Sequence, residues 1–79
     1  MPDALEILQR VISCLADEFG TEIKPHTRFA EDLQFDELDW MESFALLDHE
    51  FGVSIPDSAA EKWKTVSDAA KWIHENCHA

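Results

Sequence analysis

The first twenty residues carry apolar side chains at the spacing of one helix face. Intervals of three and four residues separate Leu5, Leu8, Ile12, Leu15 and Phe19, and Val11 lies alongside them. This repeat is typical of an amphipathic helix with one face toward a core. Gly20 follows directly, and glycine accepts the left-handed conformation in which many helices end. We therefore predict a first helix that ends at Gly20.

The next segment, from about Thr21 to Asp36, has no helical repeat. It nevertheless contains four large apolar residues, namely Ile23, Phe29, Leu33 and Phe35. A connection with so much apolar surface is expected to pack onto the helices and not to extend into water.

A second helix is predicted to begin near Asp36 and to end at Gly52. Aspartate is a favourable N-cap residue, and Asp39 lies three positions on, where a carboxylate meets the unpaired N–H groups of the first turn. Glu18-Phe19-Gly20 recurs as Glu50-Phe51-Gly52. Because a helical repeat protein needs at least about three copies, we interpret both as helix C-terminal stops.

The remaining helices are predicted from their caps. Asp57 is expected to cap a short third helix that reaches Trp63, and Thr65 with Asp68 has the spacing of a capping box for a fourth. No alternating stretch of strand length occurs. The pattern predicts an all-α bundle, with three longer helices and one short helix in a single domain of residues 1–79.

The charge balance narrows the possible partners. Seventeen acidic and six basic residues give 79 residues a net charge of −11. This charge excludes nucleic-acid binding through a basic face, disfavours docking on anionic lipid, and favours a partner with a basic surface. Between Arg28 and Lys62 the sequence has ten acids and no lysine or arginine. Because apolar residues accompany these acids on the second helix, we interpret it as a docking face.

The distribution of cysteine and apolar residues predicts a cytoplasmic location. The two cysteines form no CxxC motif, no apolar run is long enough to span a membrane, and the N-terminal segment lacks the pattern of a secretory signal. We expect a monomer with free thiols and no membrane contact.

Candidate catalytic and metal-binding groups are few. His74, Cys77 and His78 form an H-x-x-C-H sequence that offers zinc ligands, but closed structural sites use four ligands and no fourth is evident. Cys14 lacks the electropositive surroundings that activate a nucleophile. No triad is recognisable. We therefore predict no metal site and no enzymatic activity.

Two motifs carry a family resemblance. The sequence FAEDLQFDELD at residues 29–39 resembles F-x-x-D-L-G-x-D-S-L-D of acyl carrier proteins, and residues 47–57 are similar to that family's L-x-x-x-F-G-I-x-I-P-D. The match continues in register over nearly the whole chain. It implies a four-helix carrier, not an enzyme, for fatty acid, lipid or polyketide synthesis. In the family, a serine at the start of the second helix bears a 4′-phosphopantetheine arm whose thiol holds acyl groups.

The resemblance also implies a docking surface for basic-surfaced enzymes that handle acyl or ketide groups. Carried over by position, its apolar contacts are Leu38, Met41 and Ala45, and its acidic contacts are Asp36, Asp39, Glu42 and Asp48. Trp40 neighbours this surface and allows two interpretations, an interface residue or a partly buried core residue.

The chain departs from the family at the attachment position itself. Glu37 stands where the family has its serine, and a carboxylate side chain has no hydroxyl to form the phosphodiester bond. Gln34 replaces the family's glycine, which matters if that glycine has a special backbone conformation. Ser43 replaces a leucine that is usual within the second helix. As written, the sequence predicts no bound cofactor.

Several hypotheses explain Glu37. The first, which we favour, is a relative that has lost the arm and acts as a binding module or regulator. The second is a true carrier whose serine was replaced to block modification. A third, attachment at Ser43, is disfavoured because Ser43 lies about 9 Å along the helix axis from residue 37. A fourth hypothesis concerns a different kind of function, an acidic mimic that occupies a basic site on an enzyme or a nucleic-acid-binding protein.

Overall fold

The computed structural model describes residues 3–77, and these residues form helices joined by turns and loops. Helix α1 spans Ala4–Phe19, α2 spans Glu37–Phe51, α3 spans Asp57–Ala60 and α4 spans Val66–Asn76. The described part of the chain has no strand, only an isolated antiparallel bridge between Arg28 and Thr65. The predicted all-α bundle of three longer helices and one short helix is confirmed.

Both predicted glycine stops lie at helix ends. Gly20 and Gly52 have φ values of 63° and 64°, in the left-handed region that glycine adopts without steric strain. The Gly20 N–H donates to the carbonyl of Ala16 at 2.9 Å. The recurring Glu-Phe-Gly sequence is therefore a helix-ending signal used twice.

The predicted capping boxes of α2 and α4 are also present. The Asp39 N–H donates to the Asp36 carboxylate at 2.8 Å, and the Asp36 N–H donates to the Asp39 carboxylate at 3.2 Å. Thr65 and Asp68 form the same reciprocal pair at α4. The Asp68 pKa lies below its usual range, chiefly because the backbone N–H groups of Lys64 and Thr65 donate to its carboxylate. The starts of α2 and α4 are thus each fixed by side chains within one turn.

The prediction for α3 was wrong at both ends. Its N-cap is Pro56, without a side-chain hydrogen bond, and Asp57 is the first helical residue. Pro56 already has the extended backbone of a cap, and its carbonyl accepts from the Ala60 N–H at 3.2 Å. Beyond Ala60, the N–H of Trp63 bonds to a carbonyl three residues back, so the chain turns before Trp63.

The buried edge of the apolar face of α1 is the one that contains Ile7, whereas the spacing places Leu5 on the buried face. Ile7, Val11 and Leu15 are its buried residues. Leu5, which the pattern assigns to the buried face, is 62% exposed, whereas Ile7 is 1% exposed. Helix α1 packs mainly against α4 and less against α2. The repeat predicts an apolar face, but the position of α4 decides which edge of it is buried.

The long connection between α1 and α2 packs onto the bundle, as predicted. Ile23 and Phe29 are buried, and Leu33 and Phe35 are half-buried. The Phe29 N–H donates to the Lys64 carbonyl at 3.1 Å, and the Val66 N–H donates to the Thr27 carbonyl at 3.0 Å. These bonds join the connection to the start of α4.

An aromatic row supports the first half of α2. Trp40 is half-buried, and its ring centroid lies 4.9 Å from that of Phe29 and 5.4 Å from that of Phe44. Phe44 in turn contacts Trp63 at a centroid distance of 5.9 Å. Trp40 therefore packs as a partly buried residue of this row, and the rest of its surface remains exposed. Among the helices described, none is long and apolar enough to cross a bilayer.

Candidate functional site

Glu37 is the first residue of α2, directly after its N-cap Asp36. Its side chain is exposed. The unpaired N–H groups at this end of the helix favour a carboxylate, so Glu37 is compatible with the local structure. A carboxylate nevertheless offers no hydroxyl oxygen, so the arm that the family carries does not fit this position.

Gln34, three residues earlier, has a left-handed backbone. Its φ is 54°, and it is the one non-glycine residue in the described chain with a positive φ. Side chains other than glycine lose about 1–2 kcal/mol in this conformation because Cβ approaches the following carbonyl. This left-handed conformation explains why a glycine suits the position in the family motif. The present chain adopts the same conformation with a glutamine.

We expect Gln34→Gly to raise the free energy of unfolding by about 1 kcal/mol, because glycine adopts this φ without strain. Urea unfolding followed by circular dichroism measures the change. Gln9→Gly, at an exposed position within α1, is the matched control and should lower stability by about 1 kcal/mol. Equal losses in the two variants would contradict a strained backbone at Gln34.

Four of the predicted docking residues lie on one exposed face of α2. Leu38 and Met41 are 61% and 62% exposed, and Glu42 and Ala45 are exposed beside them. The buried residues of the helix, Ser43, Leu47 and Phe51, lie on the opposite side. Large exposed apolar side chains with an acidic neighbour are typical of a contact surface.

The other predicted acidic contacts also have structural hydrogen bonds. Asp36 and Asp39 form the capping box, and the Asp48 carboxylate accepts from the Ile55 N–H at 3.1 Å. Within residues 3–77 the Glu42 side chain makes no hydrogen bond or ion pair. A substitution at Glu42 therefore removes no hydrogen bond or ion pair of the described fold.

The acidic segment between Arg28 and Lys62 is partly neutralised in three dimensions. Arg28 pairs with Glu31 and with Asp32, and it holds the Asp32 pKa below its usual range by hydrogen bonding. Arg10 of α1 pairs with Glu50 at 3.1 Å. No ion pair within the described chain reaches the other acids of this segment, which are Asp36, Glu37, Asp39, Glu42, Asp48, Asp57 and Glu61. The unpaired charge thus lies on α2 and around α3.

An open cleft of about 810 Å³ lies between the first half of α2 and α3. We call it the α2–α3 cleft. Its apolar lining residues are Phe35, Trp40, Met41, Phe44, Ala60 and Trp63, and its acidic ones are Asp36, Glu37, Asp57 and Glu61. The sequence alone does not predict this cleft. Its one local signal is the aromatic pair Trp40 and Phe44, four residues apart on an acidic helix.

The remaining candidates do not join this site. Ser43 is buried and its hydroxyl donates to the Trp40 carbonyl at 2.9 Å, which disfavours attachment there. Burial, followed by the nearby Glu50 charge, raises the Cys14 pKa. Cys77 is buried and His78 lies outside the described residues. Residues 3–77 contain no group of three His, Cys, Asp or Glu side chains that could hold a metal ion.

Comparison with known proteins identifies the family. The family model described as "Phosphopantetheine attachment site" matches residues 9–73. An acyl carrier protein of Thermosynechococcus vestitus is 43% identical over 77 residues, covering 94% of this chain and 95% of the relative. Acyl carrier proteins of Rubrobacter xylanophilus and Helicobacter hepaticus are 40% and 39% identical, again over 94% of this chain. The chain therefore belongs to the acyl carrier protein family, whose members are carriers and not enzymes.

Proposed function

We propose that this protein is a non-carrying member of its family, a module that docks onto acyl- or ketide-handling enzymes without delivering an acyl group. The observation that carries the proposal is Glu37, which lies at the start of α2 and has no hydroxyl for the arm. Fatty acid, lipid or polyketide synthesis is the setting that the family relationship suggests.

The proposed docking surface is the exposed face of α2. Its apolar residues Leu38 and Met41 supply surface that a partner can bury. The unpaired acids beside them favour a basic partner and accelerate its approach. The surface then acts in two stages: charge governs the encounter, and apolar contact holds the complex.

We expect Glu42→Lys to slow association with the partner enzyme about tenfold or more at low salt, because charge reversal removes electrostatic steering. Met41→Ala should mainly accelerate dissociation by several-fold, since it removes buried contact. Surface plasmon resonance against a synthase or transferase from the same gene cluster measures both rates. The Glu42→Lys effect should shrink at high salt, and the Met41→Ala effect should not.

Glu75→Lys on α4 is the control, because it reverses the same charge on an exposed residue outside α2. It should leave both rates nearly unchanged. If Glu75→Lys slows association as much as Glu42→Lys does, recognition follows net charge, and the acidic-mimic hypothesis replaces α2 docking.

The intact mass of the protein purified from its own host tests the non-carrying role. We expect the mass of the unmodified chain. An added phosphopantetheine would show that the protein is a carrier through a position other than Glu37.

A further inference from the structure

The α2–α3 cleft combines an aromatic wall with a carboxylate rim. Trp40, Phe44 and Trp63 follow one another along it. The tilted Trp40 and Phe44 rings have centroids 5.4 Å apart, and Phe44 and Trp63 meet edge to face at 5.9 Å. Glu37 and Glu61 are exposed at its two sides, on α2 and directly after α3. No lysine, arginine or histidine of the described chain lines it. The cleft thus presents negative charge and aromatic surface with no cation of its own.

The same combination already holds a cation elsewhere in this protein. The Arg10 guanidinium carbon lies 4.6 Å from the centre of the Phe51 ring, while its Nη2 pairs with the Glu50 carboxylate at 3.1 Å. An aromatic ring attracts the positive charge through its face, and the adjacent carboxylate accepts the guanidinium N–H groups. The α2–α3 cleft offers these two partners without the arginine.

The arrangement selects an organic cation over a metal ion. A divalent ion needs several ligand atoms around one point, and no three acidic, histidine or cysteine side chains in residues 3–77 meet that condition. A guanidinium is larger and planar, so that it can stack on an aromatic face while its edge reaches separate carboxylates. A purely apolar occupant would leave the carboxylates at the rim without partners.

We propose that the α2–α3 cleft receives an arginine side chain of the docked partner, with its guanidinium against the Trp40 and Phe44 rings and its N–H groups toward Glu37 and Glu61. The proposal rests on the docking function above and adds the chemistry of one contact. Glu37 would then recognise the partner at the position where the family motif has a serine.

The test is an NMR titration of the ¹⁵N-labelled protein with the peptide acetyl-Gly-Arg-Gly-amide and with the same peptide containing citrulline. Citrulline has nearly the shape of arginine but no charge. The indole N–H signals of Trp40 and Trp63 should shift in a saturable way with the arginine peptide, at low millimolar concentrations, and not with the citrulline peptide. The Trp72 indole, which does not line this cleft, is an internal control and should not shift.

Glu37→Gln and Glu61→Gln remove one rim charge each at exposed positions, so the fold is expected to be retained. Each should weaken binding of the arginine peptide by about threefold, whereas Glu75→Gln should leave it unchanged. Equal shifts with the citrulline peptide, equal shifts at Trp72, an equal loss in Glu75→Gln, or no saturable shift with the arginine peptide would each overturn the proposal. The titration needs no partner enzyme, so its failure and the failure of α2 docking are separate results.

Discussion

Glu37→Ser is expected to convert a chain that phosphopantetheinyl transferases leave unmodified into one that gains a single 4′-phosphopantetheine. The substitution supplies a hydroxyl at the first residue of α2, and the family's motif surrounds this position on both sides. The measurement is the intact mass after incubation with coenzyme A and a broad-range transferase. The expected change is from no gain in the original chain to one complete addition.

Glu37→Ala is the matched control, because it removes the carboxylate without adding a hydroxyl, and it should gain no mass. A gain in the original chain would contradict the non-carrying function directly. If Glu37→Ser stays folded and gains nothing, the double variant Gln34→Gly/Glu37→Ser decides the reason. The absence of a gain in folded Glu37→Ser contradicts the prediction, and a gain only in the double variant would then show that Gln34, as well as Glu37, prevents recognition.

Features fixed within one helical turn were predictable from the sequence. The Gly20 and Gly52 stops and the capping box of Asp36 with Asp39 each depend on residues at most a few positions apart. Such local interactions leave a signature in residue type and spacing. For the same reason, the start of α2 and the position of Glu37 at that start could be read from the chain.

Features that depend on distant segments were not predictable in this way. Arg10 pairs with Glu50 across forty positions, and the α2–α3 cleft is lined by aromatic residues of α2 together with residues of the later segment that contains α3. The family resemblance places Asp48 on the docking surface, yet its carboxylate also accepts a hydrogen bond from the Ile55 N–H. The residue types of this site were evident from the sequence, but their partners were not.

Helix α1 shows the same limit within a single element. A repeat of three and four residues shows which side of a helix is apolar. The apolar side of α1 is wider than the part that α4 and α2 bury. Leu5 and Ile7 lie toward opposite edges of it, and both are large apolar residues near the start of the helix. Only the packing of α1 against α4 and α2 distinguishes them, and it buries Ile7.

This difference leads to a prediction with a large effect on stability. We expect Ile7→Ala to lower the free energy of unfolding by about 3 kcal/mol, since it removes buried methyl and methylene groups and leaves a cavity. Leu5→Ala should change it by no more than about 0.5 kcal/mol, because the Leu5 side chain already meets water. Urea unfolding of both variants, followed by far-ultraviolet circular dichroism, gives the two values.

The two substitutions lie two positions apart in the same helix and both introduce alanine, so their effects on helix propensity are small and similar. A domain of 79 residues has a total stability of about 4–12 kcal/mol. The Ile7→Ala variant should therefore unfold at a clearly lower urea concentration, with nearly the same dependence on urea. Equal losses in the two variants would mean that α1 uses the centre of its apolar face, and that its packing against α4 differs from the one described.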